Sequence, residues 1–316
     1  MSHETRSDPT APAAPIVPDH TLIRKIGVGS YGEVWLARNI VETERAVKVI
    51  YRRAFDHERP YEREFAGISR FEPISRSHDG FVDILQLGRN DEAGYFYYVM
   101  ELADDARDQA DQASPDEYLP KTLRTEMDKR GRLPIPECLR IGIAMSDALV
   151  HLHAHGLVHR DVKPSNIIIV GGAPKLADIG LVAGVSEARS YVGTEGFIPP
   201  EGPGFPQADL YSLGKVLYEI STGQDRNEFP ELPSEFLEDG DRAAFSELNE
   251  VILRACIDHP EQRYHSAKQM HDDLSALLAG ESVRKRHARA RRLNRGKTAG
   301  LILLSMLILL DRKSVV

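Results

Sequence analysis

The chain has 316 residues, 41% of them hydrophobic and 28% charged, the make-up of an ordinary soluble protein long enough for one large domain or two lobes. Its formal net charge is −8, but residues 284–297 hold eight Lys/Arg and no Asp/Glu, which leaves the rest at −16 and excludes a surface that binds nucleic acid throughout. Two distant cysteines, Cys138 and Cys256, form neither a disulfide framework nor a zinc site and point to a reducing cytoplasm.

Residues 1–19, MSHETRSDPTAPAAPIVPD, are rich in Pro, Ala and polar residues and lack the apolar core of a signal peptide, so a disordered tail is expected. From Thr21 the pattern alternates. TLIRKIGVGSYGEVWLARN predicts two strands around a glycine cluster, and ERAVKVIYR a third. PYEREFAGISRF has helical spacing, and FVDILQLGR and YFYYVMEL predict two more strands. The acidic stretch ADDARDQADQASPDEYLP then marks a connector or insertion. Helical segments follow: PECLRIGIAMSDALVHLHAHG, DLYSLGKVLYEISTG, AAFSELNEVILRACI and SAKQMHDDLSALLAG, the last closed by Gly280. The plan is α+β, with a small β-rich part and a larger helical part.

GVGSYGEV (Gly27, Val28, Gly29, Ser30, Tyr31, Gly32, Glu33, Val34) matches G-x-G-x-x-G. With strands on both flanks it predicts a hairpin, either a plain turn or one whose backbone N–H groups close over phosphates. Lys48 lies between Val47 and Val49 and points to the face opposite them, either to solvent or into the cleft such a hairpin would roof. Glu58, Glu62 and Glu64 on the next helix are the candidate carboxylates for it. Glu64 is preferred because Ile68 shares its helix face and can pack behind it.

HRDVKPSN (His159 to Asn166) resembles the catalytic loop of the eukaryotic-like (Hanks-type) bacterial serine/threonine protein kinases. ADIG with Asp178 resembles that family's magnesium-binding segment, GTEGFIPPE the end of its activation segment, DLYSLGKVLYE its buried anchoring helix, and DHPEQRYHSAKQM its closing helical region. The resemblance runs in order from Thr21 to Gly280. It implies a bilobal fold, with an N-lobe over 20–102 and a C-lobe over 103–280, and ATP and Mg²⁺ as cofactors. It implies Asp161 as the group that orients and deprotonates the substrate hydroxyl, with Lys163 beside the transferring phosphoryl group. Asn166 and Asp178 become metal ligands, Lys48 braced by Glu64 the holder of the α/β-phosphates, and Gly27 to Gly32 the phosphate cover. Val34 and Ala46 line the adenine, Met100 is the gatekeeper, and Glu101 and Ala103 offer backbone groups to the base. Thr194, which bonds the catalytic Asp and Lys, points to Ser/Thr specificity. Glu201 paired with Arg263, and Asp209 under the catalytic loop, are supports.

Ile179 replaces the family's phenylalanine after the metal-binding aspartate, a smaller apolar plug, and PPE replaces A-P-E. Arg160 is a partner for a phosphate on Ser186, Ser190 or Tyr191. The basic run 284–297 directly precedes the apolar run 299–310, so 281–298 is expected to be a cytoplasmic juxtamembrane segment. The run 299–310 is too short to span, and DRKSVV (311–316) matches what a common sequencing adapter encodes. A transmembrane helix cut short in a longer natural chain is therefore expected. The implied partners are a protein substrate, the chain itself by autophosphorylation, in a dimer where one forms, and a membrane; no nucleic acid is expected. The competing readings are a pseudokinase scaffold, disfavoured because Lys48, Glu64, Asp161, Asn166 and Asp178 are all present, and a small-molecule kinase of the aminoglycoside type, disfavoured by GTEGFIPPE. A nucleic-acid binder resting on 284–297 is a more distant third.

Overall fold

A computed structural model describes residues 14–29, 31–107, 117–178, 183–184, 193–232 and 242–289. The α+β class is as expected. The chain divides into two compact units, one of residues 1–129 and 164–183, the other of 130–163 and 184–316.

The first unit is built on an antiparallel sheet of order β1-β2-β3-β5-β4: β1 (His20–Gly29), β2 (Gly32–Asn39), β3 (Glu44–Tyr51), β4 (Ile84–Asn90) and β5 (Tyr95–Met100). Strand alternation sorts its side chains. Val34, Lys48 and Tyr98 are register neighbours on one face, as are Leu36, Ala46 and Met100. Helix α1 (Glu58–Ser75) covers that face, with the Tyr61 and Phe65 rings each 5.3 Å from Phe96 and Ile68 fully buried.

The other face carries Ala37, Val47, Val49, Tyr95, Tyr97 and Val99, an apolar surface that needs a cover. Residues 14–19, expected to belong to a disordered tail, supply it. Pro15 and Val17 are buried there, and Tyr95 Oη both accepts from Ile16 N and donates to Ile16 O, each at 2.9 Å. Residues 1–13 lie outside the described residues.

The expected boundary at residue 103 also shifts. Helix α2 (Leu123–Arg130) falls almost wholly in the first unit, and so does the hairpin of β7 (Ile167–Val170) and β8 (Ala173–Leu176). Hydrogen bonds explain this: Leu176 N donates to Gly80 O (2.8 Å), Val82 N to Leu176 O (3.1 Å), and Ile169 N to Lys121 O (2.9 Å). Asp104 accepts both turn amides of the hairpin, Gly171 N and Gly172 N, at 2.8 Å.

The second unit packs α3 (Ile135–Ala154), α4 (Pro206–Thr222), α5 (Arg242–Ala255) and α6 (Ala267–Leu278), and the short strand β6 (Leu157–Val158) follows α3. Every residue of α4 from Ala208 to Thr222 is buried, as expected of a central helix. It stops at Gly223, whose φ of 76° is left-handed. Cys138 and Cys256 are both buried here, and burial pushes each thiol up to about 12, so both are inert at neutral pH.

The expected juxtamembrane segment 281–298 begins against this unit. Residues 283–289 are helical and Val283 is fully buried. Acidic partners hold them: Ser282 Oγ donates to Glu247 (2.7 Å), Arg284 pairs with Glu250 (2.7 Å), and His287 meets Asp273 (2.7 Å). Among the described residues no helix is long and apolar enough to cross a membrane, and 299–316 lie outside them.

Candidate active site

In the first unit the glycine cluster forms the predicted hairpin, with Gly29 opposite Gly32, Val28 opposite Glu33 and Gly27 opposite Val34. Val28 is 81% exposed at its tip, and Tyr31 anchors the base by stacking on Phe55 at 4.5 Å. Ser30 lies outside the described residues.

Lys48 is 8% exposed, and its Nζ donates to Asp178 Oδ1. Burial opposes its charge, but Asp178, Tyr98 and Glu64 together hold it well above the ordinary lysine range. It therefore stays an ammonium at neutral pH. Asp178 itself has a φ of 58°, a left-handed backbone that a non-glycine residue adopts at some cost. The helix carboxylates divide their work. Glu62 takes a bidentate bond from Arg89 on β4 (2.8 and 2.5 Å), whereas Glu64 acts electrostatically on Lys48.

Past Met100 the chain offers a donor and an acceptor. Glu101 N donates to Asp83 O (3.2 Å), and its carboxylate accepts from Lys175 (2.6 Å) and Asp83 N (3.0 Å). Ala103 O accepts from Tyr118 Oη (3.0 Å). Among the described residues this leaves the Glu101 carbonyl and the Ala103 N–H for a ligand. Asn166 is 5% exposed, and its carbonyl accepts from Ala177 N at 2.7 Å, which ties it to the strand that leads to Asp178.

In the second unit Asp161, Lys163 and Thr194 close a triangle. Lys163 Nζ donates to Asp161 Oδ2 (2.6 Å) and to Thr194 Oγ1 (2.8 Å), and Thr194 Oγ1 donates to Asp161 Oδ1 (2.7 Å). Both carboxylate oxygens are thus fixed, one against a cation and one against a hydroxyl. Beneath them Asp209, fully buried on α4, accepts from His159 N (2.9 Å) and Arg160 N (2.8 Å). It also meets His153 Nε2 at 2.8 Å. Burial pushes its carboxyl up, yet His153 and His159 outweigh that and hold it below the usual aspartate value. These bonds fix the loop where Arg160 turns left-handed at φ 71°. Arg263, fully buried, makes a bidentate pair with Glu201 (Nη2 to Oε2, 3.0 Å) and donates to Asp258 O (3.1 Å).

Each unit thus assembles part of the set: Lys48, Glu64, Met100, Asn166 and Asp178 in one, Asp161, Lys163, Thr194, Glu201, Asp209 and Arg263 in the other. Ile179, Ser186, Ser190 and Tyr191 lie outside the described residues. Three contributors escaped the sequence reading. His153 sits eight residues before Asp161 on the helix that feeds the loop. Arg89 singles out Glu62, and Tyr98 shares the face of Lys48. The last was legible from alternation, two residues before Met100.

Comparison with known proteins agrees with this geometry. The chain is 27% identical over 291 residues to the serine/threonine-protein kinase PrkC of Bacillus subtilis, which covers 84% of this chain and 42% of that protein. It is 30% identical over 284 residues to the serine/threonine-protein kinase PknB of Mycobacterium leprae, covering 81% and 42%. With PknB of Mycolicibacterium smegmatis it shares 28% over 286 residues, covering 81% and 42%. The chain thus spans about four tenths of the length of these relatives. Residues 20–290 match the family model described as the protein kinase domain, and the chain belongs to that family.

Proposed function

We propose that the chain is the kinase part of a bacterial serine/threonine protein kinase that transfers the γ-phosphoryl group of ATP to serine and threonine hydroxyls of proteins, itself included. The observation that carries this reading is the closed triangle of Asp161, Lys163 and Thr194. A carboxylate held between a lysine and a hydroxyl is oriented to receive one proton from an incoming alcohol. The lysine beside it offsets the negative charge that gathers on the phosphoryl oxygens.

The other residues take matching roles. Lys48 holds the α/β-phosphates, with Glu64 as its brace, and the Gly27–Gly32 hairpin offers backbone N–H groups above them. Val34 and Ala46 line the adenine, while the Glu101 carbonyl and Ala103 N–H read its edge beyond Met100. Asn166 and Asp178 offer two hard oxygen donors. That donor set fits Mg²⁺, which keeps waters and substrate phosphates as its remaining ligands. When bound, the ion supplies charge neutralisation between the phosphates. Relatives named serine/threonine-protein kinases support the choice of Ser/Thr over other acceptors.

The basic run 284–297 followed by the apolar run 299–310 supports a membrane anchor with the kinase units on the cytoplasmic side. The transfer reading is tested by incubating the full chain with Mg-ATP and mapping phosphate by mass spectrometry. Phosphoserine or phosphothreonine is expected in the wild type and none in Asp161→Asn. Equal phosphate in both would remove Asp161 from the chemistry.

A further inference from the structure

Tyr98 stands on β5 directly opposite Lys48 on β3. It is 2% exposed, and its hydroxyl is buried without a hydrogen bond of acceptable geometry. Leaving a buried hydroxyl unpaired is costly. Phe96, two residues earlier on the same face, packs against α1 with a plain ring and no hydroxyl. The oxygen on Tyr98 is thus unexplained by packing.

Its surroundings suggest a use. Burial raises the phenol, Lys48 pulls it back, and Asp178 and Glu64 both bear on it, so the hydroxyl belongs to the same charged cluster. The Lys48 ammonium has three N–H groups; one goes to Asp178, and the Tyr98 hydroxyl lies within its reach. Asp178 is also the carboxylate proposed above for the metal. Whenever it turns away, Lys48 loses its strong partner. Glu64 lies on a helix, which can shift as a body; Tyr98 is pinned by strand register. An uncharged acceptor also leaves the lysine's charge intact for phosphates, which a carboxylate partly cancels.

We propose that Tyr98 is a positioning residue whose hydroxyl accepts a hydrogen bond from Lys48 and keeps that ammonium aimed when Asp178 releases it. The proposal rests on the ATP reading of this site. No covalent step is involved, and the phenol keeps its proton.

The test is Tyr98→Phe in the full chain, which removes one oxygen and keeps the ring. AMP-PNP with Mg²⁺ is the binding probe, measured by calorimetry. The Kd and the KM for ATP are expected to rise about tenfold, the effect of losing one hydrogen bond to a charged group, with kcat within about twofold. The melting temperature without nucleotide is expected to hold or rise, because an unpaired buried group has gone. The ¹³Cζ resonance of Tyr98 is expected to move when AMP-PNP is added to the wild type. Wild-type affinity in Tyr98→Phe, together with a raised melting temperature, would show a hydroxyl with no role and overturn the proposal. Lys48→Met separates the two levels. If it weakens AMP-PNP binding and Tyr98→Phe does not, only the positioning role falls. If the wild type and Lys48→Met bind alike or not at all, the ATP reading falls and takes this proposal with it.

Discussion

Gly32 faces Ile50 across β2 and β3, and a Cβ there would lie 2.0 Å from the Val49 carbonyl oxygen. The obstacle is backbone in the middle of the sheet, not a side chain that can swing away. Gly32→Ala must therefore part β2 from β3 at the mouth of the hairpin. A cost of about 2–4 kcal/mol is expected, read as a lowered urea midpoint with unchanged slope. Gly27 differs: a Cβ there meets only the Val34 side chain at 3.6 Å, an ordinary contact. Gly27→Ala should be nearly silent in stability. The motif letters look alike in the sequence, but of these two glycines only Gly32 is required by the sheet.

The elements that carry this site differ in how far their neighbours could be foreseen. The N-terminal strap shows the difficulty. Val17 is 4% exposed against the outer face of the sheet, and Val17→Asp would set a carboxylate on an apolar surface. Residues 14–19 should lift off, with about 2 kcal/mol lost from the buried valine alone. Limited proteolysis should then cut in that stretch first, while a cut elsewhere at the same rate would argue that the strap is not held by Val17. Nothing in APIVPD announces this, because a Pro-rich run docks only where a finished sheet leaves an apolar face. The five strands were legible from alternation, and α3 to α6 from helical spacing, since those signals are local. Residues 283–289 read as part of a basic juxtamembrane segment because their acidic partners Glu247, Glu250 and Asp273 are distant in sequence. The site divides the same way. HRDVKPSN lies within eight residues and was readable at once, whereas Lys48 and Asp178 are 130 residues apart and meet only in the fold. Choosing Glu64 over Glu62 needed a helix face; the Arg89 bond to Glu62 supplies the physical reason for their difference.

Over the molecule as a whole, the carboxylates set the response to acid. Glu62 and Asp272 are held low by hydrogen bonds from Arg89 and Lys268. In Glu33 and Asp105 burial pushes upward, but bonds from Lys25 and Arg107 win. These four sit near solvent, where screening leaves them small effects. Asp83 runs the other way, raised by burial and by Glu101. Asp209 is fully buried and lowered, so it weighs most. Unfolded, an aspartate titrates near 3.9. Above that value Asp209 is charged in both states and its bonds to His153, His159 and Arg160 contribute in full. As pH falls past it, the unfolded chain takes up a proton that the folded state refuses, and stability declines until the folded value is also passed. The wild-type urea midpoint should therefore fall steadily from about pH 5 to about pH 3. Asp209→Asn keeps one carbonyl oxygen for two backbone amides and removes the charge facing His153. At neutral pH it should lose about 3 kcal/mol, yet decline less steeply in acid because one large proton-linked term is gone. Urea titrations of both proteins across that range decide the matter. A mutant curve parallel to the wild type would place the acid-sensitive group elsewhere.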